Sequence, residues 1–478
     1  MISPTPQPNV PGKGIVASYR LRFWALVVAV GVCAGLGGAA LMELLRAVQH
    51  LAWGYHAGDF LEGVRRTSAT HRLLVLAGAG ALAGAGGVAH ARLGGGEVSE
   101  AIWLRGARVP LLSSLARAVE SITVVALGAS LGREAAPQLT GAGVASALSD
   151  WARLPFWQRR LLVACGAGAG MAAVYNVPLG GALFALEVLL GTLTLPLVLP
   201  ALASSLIATA VAWIALPSGP TYAIPSYQLQ ARLVVWALLV GPLAGLAAVA
   251  WIRLIRFAHA LKPRGWQRAL APVAVLVALG ALAIPYPQLL GNGKPVVALA
   301  LVGQLGIGLV AVLWALKPLV TAACLGSGAP GGLFTPTLAY GVLLGSLLGW
   351  AWTQLWPGTP LGSYAIVGGA AVLGAAMQGP LAAVVLLLEL THRSDALMVP
   401  ILLAVVEATV LARLLGAPSI YSARVSATPQ EVEAAGKPDS DGHGLALQWH
   451  DEQELRAPSD LLPESMRERG GAARPESP

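Results

Sequence analysis

Long apolar segments recur between Arg20 and Tyr421 and leave the chain little choice of fold. The first, FWALVVAVGVCAGLGGAALMELL at residues 23–45, contains one charged residue, Glu43. Of the 478 residues only 11% are charged, whereas a soluble domain averages about 25%. A helix needs about 20 consecutive apolar residues to cross the hydrocarbon of a bilayer. The sequence therefore predicts an all-α polytopic membrane protein.

Basic residues beside the first segment indicate its orientation. Arg20 and Arg22 flank it, so the positive-inside rule puts the N-terminal tail, residues 1–19, in the cytoplasm. This tail is rich in proline and lacks the basic start and cleavage site of a secretory signal. Residues 422–478 are polar and mixed in charge, which predicts a mostly disordered tail, also cytoplasmic. The net charge of +8 is interpreted as topology and lipid contact, with no nucleic-acid partner.

The membrane body contains an internal repeat. GAGMAAVYNVPLGGALFALE ends at Glu187, and AAVLGAAMQGPLAAVVLLLE ends at Glu389, with Pro178 and Pro380 at matching places. Both pairs are 202 residues apart, which predicts two halves, residues 20–216 and 217–421. Several apolar segments are short and broken by Gly, Pro or Asn, as in transporters whose helices end near the membrane midplane. The repeat alone does not decide whether the halves are parallel or inverted.

Three glycine-, proline- or tyrosine-bearing motifs are candidates for function: GASLGREAAPQLTGA at 128–142, GSGAPGGLFTPTL at 326–338 and IYSAR at 420–424. In the first two, a break rich in Gly and Pro is followed by an apolar run, which predicts a helix N-terminus inside the membrane. Such an end exposes unpaired N–H groups and about half a positive charge. Two converging ends would form an anion site. The alternative for the charges in the first motif is a buried Glu134–Arg133 ion pair with a structural role.

These motifs resemble those of the CLC family of chloride channels and chloride/proton antiporters. GASLGREAAPQ is similar to the family pattern GxxxGREGPxxQ, GSGAPGGLFTPTL to GxPGGxFxP, and IYSA follows in the expected order. The resemblance covers about residues 20–424, and the stretch around Glu187 and Val188 is similar to the bacterial ClcB-type subgroup. It implies the CLC fold, a homodimer in which each subunit has two inverted-topology halves of tilted and re-entrant helices.

The resemblance also implies roles for single residues. Glu134 matches the gating glutamate, a carboxylate that occupies the anion site and leaves it when protonated or displaced. Tyr421 matches the tyrosine whose hydroxyl faces the central anion, although an interfacial tyrosine is the alternative. The predicted anion-binding set is Gly95, Arg133, Glu134, Leu333, Phe334 and Tyr421, with Leu333 and Phe334 acting through backbone N–H groups. Arg117 is predicted to raise the positive potential of the pathway, with a lipid-headgroup contact as the alternative.

Three departures from the family pattern bear on mechanism. Gly95, in GGGEVSEAI at 94–102, takes the place of the serine of GSGIP, with Ser99 as the alternative if the alignment slips. Val188 stands where antiporter members have a proton-relaying glutamate, so passive flow is favoured, although Glu187 or water could still carry protons. Ala135 replaces a glycine beside the gate.

The predicted function is therefore chloride transport across the bacterial inner membrane, most consistent with passive, channel-like conduction. The alternative is a proton-coupled chloride/anion antiporter. An intramembrane hydrolase using Ser327 lacks a base at bilayer depth, so no enzyme activity is predicted. The partners are chloride or a similar anion, lipid and a second subunit, without a cofactor or metal site. The C-terminal tail is too short and polar for the paired nucleotide-binding CBS modules of some relatives.

Overall fold

Helices make up nearly all of the ordered secondary structure in residues 21–56, 58–93, 96–392 and 395–425, which the computed structural model describes. The N-terminal tail, Gly95 and the C-terminal tail beyond Val425 lie outside these residues. The seventeen α-helices of the described part are α1 (Leu21–Trp53), α2 (Phe60–Arg66), α3 (Ala69–Leu93), α4 (Val98–Leu104), α5 (Leu111–Ala126), α6 (Ala135–Trp151), α7 (Phe156–Tyr175), α8 (Pro178–Leu183), α9 (Leu195–Ala212), α10 (Ala231–Ala260), α11 (Gln267–Leu282), α12 (Lys294–Leu301), α13 (Ile307–Gly326), α14 (Phe334–Leu355), α15 (Leu361–Met377), α16 (Pro380–Thr391) and α17 (Met398–Leu414).

The helices differ in whether they can cross a membrane. Among the described residues, six are long and apolar enough to do so: α1, α3, α9, α10, α13 and α14. Others are apolar but short, such as α15 with 17 residues and α16 with 12. A helix of 12 residues rises only about 18 Å, less than the roughly 30 Å hydrocarbon core. A helix as short as α16 that is embedded in a membrane ends inside it, and the backbone groups at that end then need partners inside the protein.

The helices of the two halves follow one another in the same order, and proline marks equivalent starts. Pro137 is the third residue of α6, and Pro336 is the third residue of α14. Pro178 and Pro380 are the first residues of α8 and α16. Proline is tolerated in a first helical turn because its missing N–H would have no partner there. The duplication predicted from sequence is thus visible in the helix boundaries.

Contacts across the molecule are reciprocal, as expected of two halves related by an approximate two-fold axis. Gly132 N donates to Gly332 O at 2.7 Å, and Gly332 N donates to Gly132 O at 2.8 Å, in an antiparallel pair. The α6 and α14 helices therefore begin beside one another, each from the same place in its own half. The all-α architecture of two inverted-topology halves with tilted and re-entrant helices is confirmed.

A second reciprocal contact involves the two glutamates of the repeat. The Glu187 carboxylate accepts from the backbone N–H groups of Leu381 and Ala382, in the first turn of α16, at 3.2 and 2.6 Å. The Glu389 carboxylate accepts from two N–H groups in the first turn of α8, at 3.0 and 2.7 Å. Each acid thus satisfies the helix N-terminus of the other half, where negative charge is favoured.

Glycine permits the close packing of α6 on α7. A Cβ atom on Gly141 would lie 1.9 Å from the carbonyl oxygen of Gly166, and one on Gly166 would lie 2.3 Å from that of Gly141. Helices in a lipid bilayer associate through such close backbone approach, because the hydrophobic effect does not drive helices together when the surrounding lipid is equally apolar. The packing of α6, the helix that begins directly after Glu134, therefore depends on this glycine pair.

We expect Gly141→Ala to lower the free energy of unfolding by about 3 kcal/mol, because overpacking against backbone atoms forces the helices apart. The measurement is the thermal unfolding midpoint of the purified protein in detergent. Gly78→Ala is the matched control, since Gly78 is an exposed glycine of α3 with no atom within 4 Å of its added Cβ. A midpoint for Gly141→Ala equal to that of the control would contradict the packing argument.

Candidate functional site

Two loops bring the N-termini of α6 and α14 together around Glu134. The Gly132–Gly332 pair joins the loops, and Glu134 immediately precedes the first residue of α6. The sequence favours this arrangement because each loop combines glycine with a proline placed in the first turn of the following helix. The unpaired N–H groups of two helix ends thereby point toward one buried position.

The Glu134 carboxylate occupies that position. It is 1% exposed, and its Oε1 accepts from the Phe334 backbone N–H at 2.6 Å. The Tyr175 hydroxyl donates to Oε2 at 3.2 Å and lies 2.7 Å from Thr335 Oγ1. A backbone N–H at a helix start and a hydroxyl are donors that bind any small anion. The carboxylate therefore fills a site built for negative charge.

Glycine on both sides makes room for this carboxylate. A Cβ on Gly132 would lie 2.2 Å from Glu134 Oε1, and a Cβ on Gly332 would lie 2.0 Å from the same atom. Any side chain at either glycine would overlap the acid in its present position. The sequence motifs thus contain glycine at these two places for space.

A cavity of about 60 Å³ extends from Glu134 and is also lined by Tyr421. The Ile420 backbone N–H donates to Ala376 O at 2.8 Å, which fixes the segment carrying Tyr421 to the end of α15. The ring of Tyr421 packs edge-on against Phe184 at 5.4 Å. Its hydroxyl is buried and has no hydrogen-bond partner among the described residues. Buried hydroxyl groups normally have a partner, so this donor is available to a ligand in the cavity.

Four further charged residues line the cavity and are called the basic cluster, because three of them are cations and one is an acid: Arg117, Lys262, Arg424 and Glu97. Arg424 forms an ion pair with Glu97, with Nη2 2.5 Å from Oε1. Burial lowers the pKa of Lys262, which follows the end of α10, to about 8, so this lysine stays mostly protonated at neutral pH. Three cations therefore face one carboxylate, which gives this part of the cavity wall a net positive charge.

Other predicted residues lie at different places. Ser99, the second residue of α4, is buried and lines the cavity, whereas Gly95 is outside the described residues. Leu333 precedes the first residue of α14. The guanidinium of Arg133 lies over the Tyr175 ring, 4.8 Å from its centroid, a cation–π contact. An anion-binding role stays a prediction for every residue of the predicted set: Gly95, Arg133, Glu134, Leu333, Phe334 and Tyr421.

The candidate relay positions lie in a π-helical turn, Phe184–Leu190, that continues α8. Val188 is buried, and a Cβ on Gly379 would lie 2.8 Å from its Cγ2 atom. Both carboxylate oxygens of the neighbouring Glu187 accept hydrogen bonds from backbone N–H groups at the start of α16.

Ser327, the candidate nucleophile of a hydrolase, donates its hydroxyl hydrogen to Cys324 O at 2.7 Å.

Sequence reasoning missed several contributors to the site: Tyr175, Thr335, Glu97, Lys262 and Arg424. Thr335 lies within the quoted GLFTP motif, so its proximity to the site had a signal. Arg424 ends the IYSAR motif, three residues after Tyr421. Tyr175, at the end of α7, has no local pattern that sets it apart from a packing tyrosine.

Comparison with known proteins gives matches over most of the chain. The family model described as voltage gated chloride channel matches residues 87–413. A ClcB-like chloride channel protein of Ralstonia nicotianae is 34% identical over 415 residues, 83% of this chain and 95% of the relative. A voltage-gated ClC-type chloride channel ClcB of Citrobacter koseri is 33% identical over 324 residues, 65% of this chain and 75% of the relative.

Solved structures give the same result for the fold. The structure described as a slow cyanobacterial Cl⁻/H⁺ antiporter matches with a TM-score of 0.75 at 20% sequence identity. The match covers 88% of this chain and 99% of the other. From the family model and the curated relatives, the chain belongs to the CLC family of voltage-gated chloride channels and is ClcB-like.

Proposed function

We propose that this protein transports chloride or a similar small anion across a membrane, through the cavity and past a gate formed by Glu134. The observation that carries the proposal is the buried Glu134 carboxylate bound by the Phe334 N–H at the start of α14. A carboxylate and a chloride ion compete for the same donors, since both are anions that helix N-termini favour. When Glu134 leaves, its donors become free for the transported anion.

The rest of the pathway follows from the donors that line the cavity. An anion that passes the Glu134 position meets the unpartnered Tyr421 hydroxyl and then the basic cluster. Ser99 supplies a further buried hydroxyl in the same cavity. Conduction requires sites that bind an anion strongly enough to admit it and weakly enough to release it. Hydroxyl and backbone donors meet this requirement better than a fully buried cation.

Passive conduction is the favoured mode. Val188 has no titratable group, and Glu187 is held by two backbone N–H groups at the start of α16. A proton relay at this place would need a carboxylate that is free to exchange protons. Glu134 can still take up a proton without a second relaying acid. This proton uptake links opening of the gate to pH, but it does not fix a ratio of protons to anions.

The test is a flux assay on the purified protein in lipid vesicles, with chloride and proton electrodes read together. We expect a chloride efflux whose direction follows the chloride gradient, without proton movement against a proton gradient. A chloride gradient that drives protons uphill at a constant ratio would replace passive conduction by antiport. Vesicles that release no small anion at all would overturn anion transport itself.

Proton-coupled exchange is the second candidate. It is favoured by the similarity to a structure described as a Cl⁻/H⁺ antiporter and by the buried acid at Glu134. In this mechanism protons reach Glu134 from the cavity through water rather than through Val188. The same electrode measurement separates the two modes.

The unpartnered Tyr421 hydroxyl gives a prediction for anion affinity. We expect Tyr421→Phe to raise the chloride concentration for half-maximal flux about tenfold, since a hydrogen bond to a charged group contributes about 1.5–3 kcal/mol. Maximal flux should change less than the half-saturating concentration. Tyr286→Phe, at a half-buried tyrosine after α11, is the control for loss of a hydroxyl elsewhere. An unchanged chloride dependence for Tyr421→Phe would remove Tyr421 from the site.

We further propose a homodimer in a bacterial plasma membrane, with both tails in the cytoplasm and a separate pathway in each subunit. Exposed apolar side chains on α9 and α17, among them Leu199, Leu206, Val406 and Val410, suit contact with lipid or a second subunit. The chloride ion is the only ligand that the proposal needs. Cross-linking of cysteines placed at Leu206 and Val406 tests the proposed homodimer. If only monomeric protein is recovered after cross-linking, the result contradicts the homodimer.

A further inference from the structure

The basic cluster contains an ion pair, Glu97–Arg424, that could control how the cluster binds an anion. Glu97 directly precedes α4, and Arg424 follows Tyr421 by three residues. Their side chains are 19% and 8% exposed, and Nη2 of Arg424 lies 2.5 Å from Oε1 of Glu97. Both residues line the same cavity as Glu134 and Tyr421. The pair therefore connects a loop of the first half to the segment that carries Tyr421.

Arg424 keeps donors that this ion pair does not use. A guanidinium has five N–H donors, and the contact with Glu97 involves Nη2. Its Nε is buried and has no acceptor among the described residues. The Tyr421 hydroxyl, close by in the chain, is in the same condition. Two unpartnered donors on residues that line one cavity indicate that the cavity receives a small anion.

Glu97 is the unexpected member of this group. In the alignment of GGGEV with GSGIP, Glu97 takes the place of the apolar isoleucine, so the cavity gains a carboxylate. Without Glu97, three cations (Arg117, Lys262 and Arg424) would face the anion unopposed. Such a site would hold an anion too tightly for rapid transfer. A carboxylate that competes for Arg424 weakens the binding.

We propose that Glu97 acts as a second gating carboxylate, which binds Arg424 while the cavity is empty and yields it to an entering anion. This inference rests on the proposed function, because it assumes that anions pass through the cavity. It differs from gating at Glu134 in its donors: Glu134 competes for backbone N–H groups, and Glu97 competes for one guanidinium. The Glu97–Arg424 pair sets how strongly the cavity binds its anion.

The test is the chloride dependence of flux for full-length variants in vesicles. We expect Glu97→Gln to lower the half-saturating chloride concentration about tenfold and Arg424→Gln to raise it about tenfold, as one unit charge at close range would. The double variant should match Arg424→Gln within about twofold, because without Arg424 the Glu97 carboxylate has no guanidinium to compete for. Glu100→Gln is the matched control, because Glu100 lies in α4, which begins directly after Glu97, pairs with Arg105 at 2.5 Å and does not line the cavity.

A conservative variant keeps the proposal testable if Glu97→Gln folds poorly. Glu97→Asp keeps the charge, so its half-saturating concentration should stay within about threefold of the unmodified protein. Equal shifts for Glu97→Asp and Glu97→Gln, or additive shifts in the double variant, would overturn the charge competition. Chloride flux by the unmodified protein together with an unchanged Glu97→Gln would reject this inference alone, whereas no anion flux would reject the proposed function.

Discussion

Glu134→Gln should open the pathway permanently, raise chloride flux at neutral pH about tenfold and remove the dependence of flux on pH. The carboxylate now accepts from the Phe334 N–H and the Tyr175 hydroxyl. A hydrogen bond to a charged acceptor contributes about 1.5–3 kcal/mol, and a neutral amide forms weaker hydrogen bonds with the same donors. The glutamine therefore leaves the site to the anion. Because an amide does not titrate between about pH 4 and pH 8, acid can no longer open the gate.

The measurement is chloride efflux from vesicles over this pH range, with Glu389→Gln as the matched control. Glu389 also accepts from two backbone N–H groups at a helix start, but it does not line the cavity. Its substitution removes the same kind of bond and should lower stability while flux keeps its dependence on pH. If Glu134→Gln retains the pH dependence of the unmodified protein, the gate lies at another residue.

The sequence is enough to single out Glu134 but not its partners. GASLGREAAPQ predicts a helix start next to an acid, and α6 begins at Ala135 as that motif requires. The Phe334 N–H comes from the second motif, 200 residues further along the chain. The Tyr175 hydroxyl comes from the end of α7, where no local pattern distinguishes it. Contacts of this kind depend on how two halves pack, and a single sequence does not encode packing in a readable form.

The repeat illustrates the same limit. The 202-residue offset between Glu187 and Glu389 indicates a duplication, and both acids were predicted at equivalent positions. Their reciprocal bonds to the helix starts of the opposite half require the two-fold relation itself. Likewise, Glu97 alone looks like a solvated loop acid. Its partner Arg424 lies near the other end of the membrane body, so only the folded chain reveals the pair.

Gly332→Ala tests the gate by volume instead of charge, since it leaves the Glu134 carboxyl group intact. A Cβ on Gly332 would lie 2.0 Å from Glu134 Oε1, 2.4 Å from its Cδ and 2.9 Å from its Cγ. The flexible acid must then rotate away from the Phe334 N–H, because the backbone at Gly332 is fixed by its pair with Gly132. We expect chloride flux at neutral pH to rise about as much as in Glu134→Gln, roughly tenfold, as one charge-assisted hydrogen bond is lost.

Two comparisons decide this prediction. Gly308→Ala, at an exposed glycine with no atom within 4 Å of the added Cβ, should leave flux and its pH dependence unchanged. The double variant Gly332→Ala with Glu134→Gln should conduct no faster than Glu134→Gln alone, because both substitutions remove the same obstruction. A slower flux for Gly332→Ala would mean that the added methyl group blocks the anion itself. In that case the anion passes directly over Gly332, and the Glu134 carboxylate cannot rotate out of the pathway when the methyl group is present.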